Sequence, residues 1–412
     1  MMDKYKKIKE CRVCGSKDLA KYLDLGKNPL ANSSIELKDK GKKEPKFPLE
    51  VLYCNNCSLS QLSIVVDPKV LFSRYVYRSS ISKTFQEHCA EMADSVISLI
   101  GHQKKELVVD IASNDGCLLE QFKKRGFMVI GVEPAGNIAK IANSKGIETL
   151  CKFWDDGAAK TILEKYGKAK VITATNVFAH VDDLNSFLRA VSILLDKNGL
   201  FIIEVPYLYD LLAKNEFDTI YHEHLSYFLV KPLGILLDRN KLRIFKVEKH
   251  SIHGGSLRIL ASKEGFREDG SVSKFLEFEE RNGMYKIMTY QLFEARVRKI
   301  KKNLMELLAE LKGKGKKIVA FGASAKGNTL LNYCGIDSKF ISAIIDDTPE
   351  KQSRIYPGTG IKIVDKSYLD KESPDYMLLL AWNFADEITK KLESAHRGKF
   401  KYIIPIPAVK VV

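Results

Sequence analysis

The chain has 412 residues, 45% of them apolar and 28% charged, which is core material for two or three domains and excludes a disordered chain. No apolar run reaches the roughly 18 residues of a membrane span. The start, Met1-Met2-Asp3-Lys4-Tyr5-Lys6-Lys7, lacks the hydrophobic stretch of a signal peptide, so a cytoplasmic protein without membrane contact is expected. A formal charge of +15 would suit nucleic acid, an anionic surface or a phosphate-bearing small molecule. The lysines are spread along the chain without the interleaved arginines and aromatics of a nucleic-acid tract. General solubility and a nucleotide diphosphate are the readings that remain.

Cysteine usage divides the chain first. Cys11-x-x-Cys14 and Cys54-x-x-Cys57 form two matched pairs, whereas Cys89, Cys117, Cys151 and Cys334 are scattered. Each short knuckle turns two thiolates toward one ion, so the four cysteines predict a tetrahedral Zn²⁺ site, and a reducing compartment argues against disulfides. A site with four thiolates has no open position, so this metal holds structure and does no chemistry. Tyr75-Val76-Tyr77-Arg78-Ser79 follows, with Tyr75 and Tyr77 on one face of an expected strand. They either pack there or reach over a substrate together with Arg78 and Ser79.

From residue 105 strands and helices alternate. Strands are expected at 107–112, 127–133, 171–175 and 200–205, and helices at 117–125, 137–145 and 184–195. That alternation predicts a doubly wound parallel sheet with ligands at the carboxyl ends of its strands. Asp110-Ile111-Ala112-Ser113-Asn114-Asp115-Gly116 follows the first strand, and Glu133-Pro134 ends the second. The turn departs from G-x-G-x-x-G and is acidic, which would repel a pyrophosphate and suits the cationic sulfonium of S-adenosylmethionine. Glu133 is placed to accept the ribose hydroxyls. Asn176 and His180, in Thr175-Asn176-Val177-Phe178-Ala179-His180, lie where cofactor and substrate should meet, although His180 could instead cap the next helix.

The densest chemistry is Tyr221-His222-Glu223-His224-Leu225-Ser226-Tyr227-Phe228. In a helical turn Tyr221 and His224 face one way; in an extended chain His222 and His224 share a face. Two strands are expected around His253-Gly254-Gly255-Ser256, then one long amphipathic helix carrying Phe275, Phe278, Tyr285, Met288, Leu292 and Phe293 and ending near Gly313. A second alternation opens with Gly322-Ala323-Ser324-Ala325-Lys326-Gly327-Asn328 after a strand, and a further strand ends in Asp346-Asp347. Small residues at a helix N-terminus, with Lys326, predict a phosphate site formed by Gly322, Ser324, Ala325, Lys326, Asn328 and Asp346. The spacing is not that of an ATP-hydrolysing loop.

Taken together, the paired knuckles, I-A-S-N-D-G, N-V-F-A-H, Y-H-E-H-L-S-Y-F, H-G-G-S-L-R and F-G-A-S-A-K-G-N-T-L-L-N-Y resemble the sugar-nucleotide C-methyltransferases along nearly the whole chain. The resemblance implies an α/β protein of three parts: a zinc-binding module (1–80), a Rossmann-like S-adenosylmethionine domain (81–245) and a second Rossmann-like domain holding the sugar nucleotide (246–412). It places the base at His224, with Tyr221 and Glu223 around it and His180 near the sugar. The chemistry agrees, because a sugar carbon becomes nucleophilic only when a neighbouring ketone acidifies its hydrogen. His224 is then the base, Tyr221, His222 or His180 donates to the enolate oxygen, and Glu223 orients a histidine. A nucleoside-diphosphate keto-deoxysugar is the expected partner of a monomer or homodimer. A sugar O-methyltransferase, an RNA methyltransferase and a nonenzymatic nucleotide-binding scaffold are the competing classes.

Overall fold

The computed structural model describes residues 5–72, 78–101, 105–396 and 400–412. Its centre is a seven-stranded sheet whose spatial order is Arg243–His250, Ser256–Ser262, Leu195–Pro206, Ala169–Thr175, Leu107–Ile111, Met128–Val132 and Thr149–Leu150. The five strands from Leu195–Pro206 to Thr149–Leu150 run parallel, and Ser256–Ser262 lies antiparallel to both its neighbours. Every residue of Leu107–Ile111 is buried. Val108 faces the helices Lys83–Ile100 and Cys117–Lys124, while Leu107, Val109 and Ile111 face Asp156–Tyr166 and Leu184–Leu194. A strand covered on both faces reads as an unbroken apolar run, which is why the alternation was visible in the sequence.

The hairpin Arg243–Ser262 completes this sheet. The boundary expected at 245/246 therefore falls inside a strand, and the central sheet draws its last two strands from across it. The single long helix expected after the hairpin is two, Ser271–Arg281 and Ile287–Gly313. They break at Asn282-Gly283, where Gly283 has φ +69°. Met288 and Leu292 are exposed on the second helix, and its buried stripe is Tyr290, Phe293, Val297, Ile300, Leu304, Leu308 and Leu311.

The amino-terminal module is a four-stranded sheet in the order Ser226–Tyr227, Ser60–Leu62, Phe47–Cys54 and Leu19–Asn28. Its outer strand is thus supplied by the residues that follow His224. Tyr290 of the long helix packs on Tyr22 and Tyr53 of this sheet, with ring centroids 5.0 and 4.6 Å apart. The carboxyl-terminal domain is a six-stranded sheet around Ile318–Phe321, flanked by Ala325–Cys334 and Ala385–His396. Ile35–Glu36 of the amino-terminal module pairs with Arg354–Ile355 there, so the three parts interlock. No described helix is long and apolar enough to cross a membrane.

The four paired cysteines converge. Cys11 Sγ lies 3.4 Å from Cys57 Sγ and Cys14 Sγ 3.5 Å from Cys54 Sγ, and all four sulfurs lie within 4.8 Å of one another. Thiolates tetrahedrally bound to zinc sit about 3.8 Å apart, so the set fits a closed zinc site. Purified protein should carry one zinc per chain by elemental analysis. Cys57→Ser should lose the ion and unfold at a lower temperature, because binding free energy in such a site is folding free energy.

Candidate active site

The carboxyl ends of the central strands open into a cavity of about 610 Å³. At one end the backbone bends sharply. Ala112, Asn114 and Asn176, which line the cavity, hold φ of +55°, +51° and +55°, a region that costs a side-chain-bearing residue of order 1–3 kcal/mol. Such strain concentrates at ligand sites. Glu133 closes the turn, accepting from Asn114 N at 3.1 Å and Ala135 N at 2.8 Å, and burial pushes its pKa up. Asp110 is buried beside it and accepts from Thr173 Oγ1 at 2.6 Å; burial raises it to about 7. Ser113 Oγ is buried at the cavity without a hydrogen bond among the described residues. A Cβ on Gly131 would lie 2.3 Å from that oxygen. An orphaned hydroxyl, a buried carboxylate at the end of the second strand and a turn free of basic groups fit S-adenosylmethionine.

Not every residue expected there faces the cavity. Pro134 lines it. Asp115 turns away and is held by Ser80 and by Lys145 Nζ at 3.0 Å. Gly116 serves the turn itself, at φ +81°, ahead of the helix Cys117–Lys124. Ser79 lines the cavity and donates its N–H to Asn114 Oδ1 at 3.0 Å, while Arg78 reaches Glu350 Oε1 at 3.8 Å. Tyr75 and Tyr77 lie outside the described residues.

The residues Tyr221 to His224 form a turn in which His224 N donates to Tyr221 O at 2.9 Å, the helical geometry of the two considered. His224 Nδ1 is 2.8 Å from the Thr219 carbonyl, and its Nε2 is 2.9 Å from Tyr221 Oη. A carbonyl only accepts, so Nδ1 carries a proton. In the neutral ring Nε2 then holds the lone pair and accepts from the Tyr221 hydroxyl. Tyr221 and His224 both line the cavity, as do Thr219 and His180. The His180 ring stands edge-on to His224, centroids 5.0 Å apart. Burial lowers His180 to about 4, so its imidazole is neutral at physiological pH. It does not cap the following helix: Asp183 does, accepting from Ser186 N at 2.9 Å.

The two other residues of the motif leave the cavity. His222 is buried against the amino-terminal module, donating from Nε2 to Pro48 O at 3.1 Å and packing on Phe47, and burial lowers it to about 4. Glu223 does not orient a histidine through its carboxylate. That group accepts from Asn32 Nδ2 at 2.6 Å, and burial raises it to about 7.

In the second sheet, most of the loop expected to cradle a phosphate is already satisfied. Gly322 N donates to Ile345 O, Ala323 N to Asp346 Oδ2 at 2.7 Å, and Gly327 N to the capping Ser324 Oγ. Asp346 therefore occupies the ground an anion would take, and Asn328 is turned inward onto Pro357 O at 2.8 Å. Ala325 opens the helix and does not line the cavity. Lys326 alone of this loop reaches the cavity. Its Nζ makes no hydrogen bond among the described residues; Glu216 Oε2 is 3.7 Å away and the Trp382 ring 5.2 Å. A little-solvated cation at the cavity wall is the feature of this domain that suits a phosphate.

Several cavity residues had escaped notice. Phe153 and Trp154 follow the third parallel strand, and their place at a strand's carboxyl end was the signal available. Thr219 and Asp182 on the same wall, and Asn32 outside it, act through a carbonyl, a salt bridge and an amide, none of which has a sequence signature.

Profiles of known families match in chain order: a zinc binding domain over residues 11–72, a methyltransferase domain over 85–246 and a C-methyltransferase C-terminal domain over 251–407. C-methyltransferase NovU of Streptomyces niveus is 36% identical over 414 residues, covering 100% of this chain and 99% of that protein. A ubiquinone biosynthesis O-methyltransferase of Azorhizobium caulinodans is 29% identical over 119 residues, 27% of this chain and 47% of that one. Among solved structures, a magnesium protoporphyrin IX methyltransferase from Synechocystis with bound SAM has a TM-score of 0.33 at 14% identity, covering 42% of this chain and 79% of that one.

The Glu223 carboxyl gives a pH test. Its folded pKa lies above the unfolded value, so it binds a proton on folding, and stability falls as pH rises from about 4.5 through 7. Glu223→Gln keeps an oxygen for Asn32 and removes the charge. The variant should match the native protein near pH 5 and exceed it at pH 8 by on the order of 2–3 kcal/mol in denaturant unfolding.

Proposed function

Since the chain belongs to the S-adenosylmethionine-dependent C-methyltransferases, we propose that it methylates a carbon beside the ketone of a nucleoside-diphosphate-linked deoxysugar, at C-3 of a 4-keto sugar. The observation that carries this reading is the chain Thr219 carbonyl, His224, Tyr221 hydroxyl, set in the same cavity as the strand ends that suit the cofactor. Bound S-adenosylmethionine supplies an electrophilic methyl group. The residues do the rest. His224 Nε2 takes the proton from the carbon, and the Thr219 carbonyl steadies the imidazolium that results. The electron pair of the broken C–H bond moves into the enolate, whose oxygen takes a hydrogen bond from the neutral His180 or from Tyr221. The enolate carbon then accepts the methyl group.

Lys326 fits the diphosphate. Among the described residues it is a cation without a hydrogen bond, on the wall of the cavity that contains His224. Glu216 and Asp218 stand near it, and burial pushes both carboxyls up. The zinc site is closed and takes no part in the chemistry.

Incubation with S-adenosylmethionine and a panel of 4-keto sugar nucleotides, read by mass spectrometry, tests the proposal directly; no methylated sugar from any of them sinks it. His224→Ala should lose methylation by roughly 10²- to 10⁴-fold, along with any exchange of the substrate's α-hydrogen into deuterated water. His222→Ala should keep much of both, because that ring faces Pro48. An inactive His222→Ala beside an active His224→Ala would move the base to His222.

Lys326→Ala should raise KM for the sugar nucleotide by about tenfold or more, the loss of a charge-assisted hydrogen bond of roughly 1.5–3 kcal/mol, and leave cofactor affinity unchanged by calorimetry. The opposite pattern would remove the second sheet from substrate binding.

A further inference from the structure

We infer that Arg12, which the closed zinc site has no need of, is a positioning residue for the base, and that through it the amino-terminal module sets the geometry of catalysis. The inference rests on the reading of His224 as the base. Arg12 lies inside the first knuckle, between Cys11 and Cys14, and its backbone N–H donates to Gln61 Oε1 at 2.9 Å. Its side chain is only 3% exposed. From there the guanidinium leaves the module. Nε donates to Asp182 Oδ1 at 3.2 Å, and Nη1 donates to the carbonyls of Leu62 at 3.3 Å and Leu225 at 3.2 Å.

Two of those partners, Asp182 and Leu225, belong to the two segments that carry the facing histidines. Leu225 follows His224, and Asp182 stands two residues after His180 and lines the cavity. The segments are already joined where Leu225 N donates to Ala179 O at 2.8 Å. A planar fork with fixed donor directions sets the spacing between the Asp182 carboxylate and the Leu225 carbonyl, which the point charge of a lysine cannot do. His180 and His224 meet edge-on at 5.0 Å because that spacing is fixed.

Stability alone is a poor account of this arginine. Nη2 is buried without a hydrogen bond among the described residues. An apolar side chain of similar volume commonly serves stability as well or better than a buried ion pair. What the apolar side chain would lack is the grip on two chain segments at once. A reacting group displaced by about 1 Å costs about 10²-fold in rate, so the grip has a kinetic consequence out of proportion to its share of folding energy.

The test compares Arg12→Met, Arg12→Lys and Asp182→Asn with the native protein, each zinc-loaded and checked by elemental analysis. Without substrate, hydrogen exchange followed by mass spectrometry should speed up at least tenfold in the peptides covering 177–183 and 219–228, with the peptides around Cys54 and Cys57 unchanged. With substrate, kcat should fall by about 30- to 100-fold while KM for the sugar nucleotide changes less than threefold, the pattern of an interaction realised in the transition state. Should Arg12→Met fail to hold zinc, Arg12→Lys and Asp182→Asn decide. Zinc-loaded variants with native exchange in both peptides, with faster exchange spread over the whole chain, or with native kcat would each overturn the inference. If the native protein methylates no keto sugar nucleotide, the functional reading has failed, and the exchange measurement still decides whether Arg12 clamps the two segments.

Discussion

The hydrogen bond from His224 Nδ1 to the Thr219 carbonyl decides which nitrogen of the imidazole can accept a proton, and much of the molecule serves to keep it at 2.8 Å. A carbonyl five residues upstream reaches the ring only if the intervening chain turns tightly, and that chain is held from three directions. The amino-terminal module takes His222 through Pro48, Glu223 through Asn32, and Ser226 and Tyr227 as the outer strand of its sheet. The central domain takes Leu225 through Ala179. The carboxyl-terminal domain takes Ile220 through Thr329 Oγ1 at 3.0 Å and Asp218 through Trp382 Nε1 at 2.6 Å. Three parts that look separable in the sequence meet on residues 218–227.

Burial then sorts the titratable groups by role. His180 and His222 are both pushed down to about 4, yet one faces the cavity and the other an apolar ring. Being neutral, His180 stands 5.0 Å from His224 without placing a positive charge beside it. His222 is a structural histidine, anchored by one donated hydrogen bond. The buried carboxyls of Glu223 and Asp110 move the other way, to about 7.

Much of the fold was legible because the central strands are covered on both faces and so appear as apolar runs between helices of the right length. The paired knuckles were legible for a similarly direct reason, since two thiolates per turn have few other uses. The break at Asn282-Gly283 was missed because Met288 and Leu292 extend the helical period while remaining exposed. The placement of the last two strands was missed because a hairpin joins whichever sheet edge it reaches, and the antiparallel insertion of Ser256–Ser262 has no local signature. In the site, the i, i+3 relation of Tyr221 and His224 was visible and that of His222 to Pro48 was not. A carbonyl partner 174 residues away belongs to tertiary structure alone.

The second sheet shows why residue type and residue role diverge. Its loop has the small residues and helix N-terminus of an anion site, yet a protein that leaves such N–H groups buried must satisfy them, and here Ser324 and Asp346 do so. Once a carboxylate has taken the N-terminus, the helix end no longer favours an anion, and the loop's remaining asset is the side chain of Lys326. That side chain reaches the cavity because Gly327 packs where a Cβ would meet Leu380 at 2.7 Å, which brings the helix close to the wall carrying Trp382. Gly327 therefore matters for the approach of the helix, and the charge at the cavity comes from Lys326. The same division runs through the turn after Leu107–Ile111, where Gly131 makes room for Ser113 and the side chains of Asp110 and Glu133 lie at the cavity.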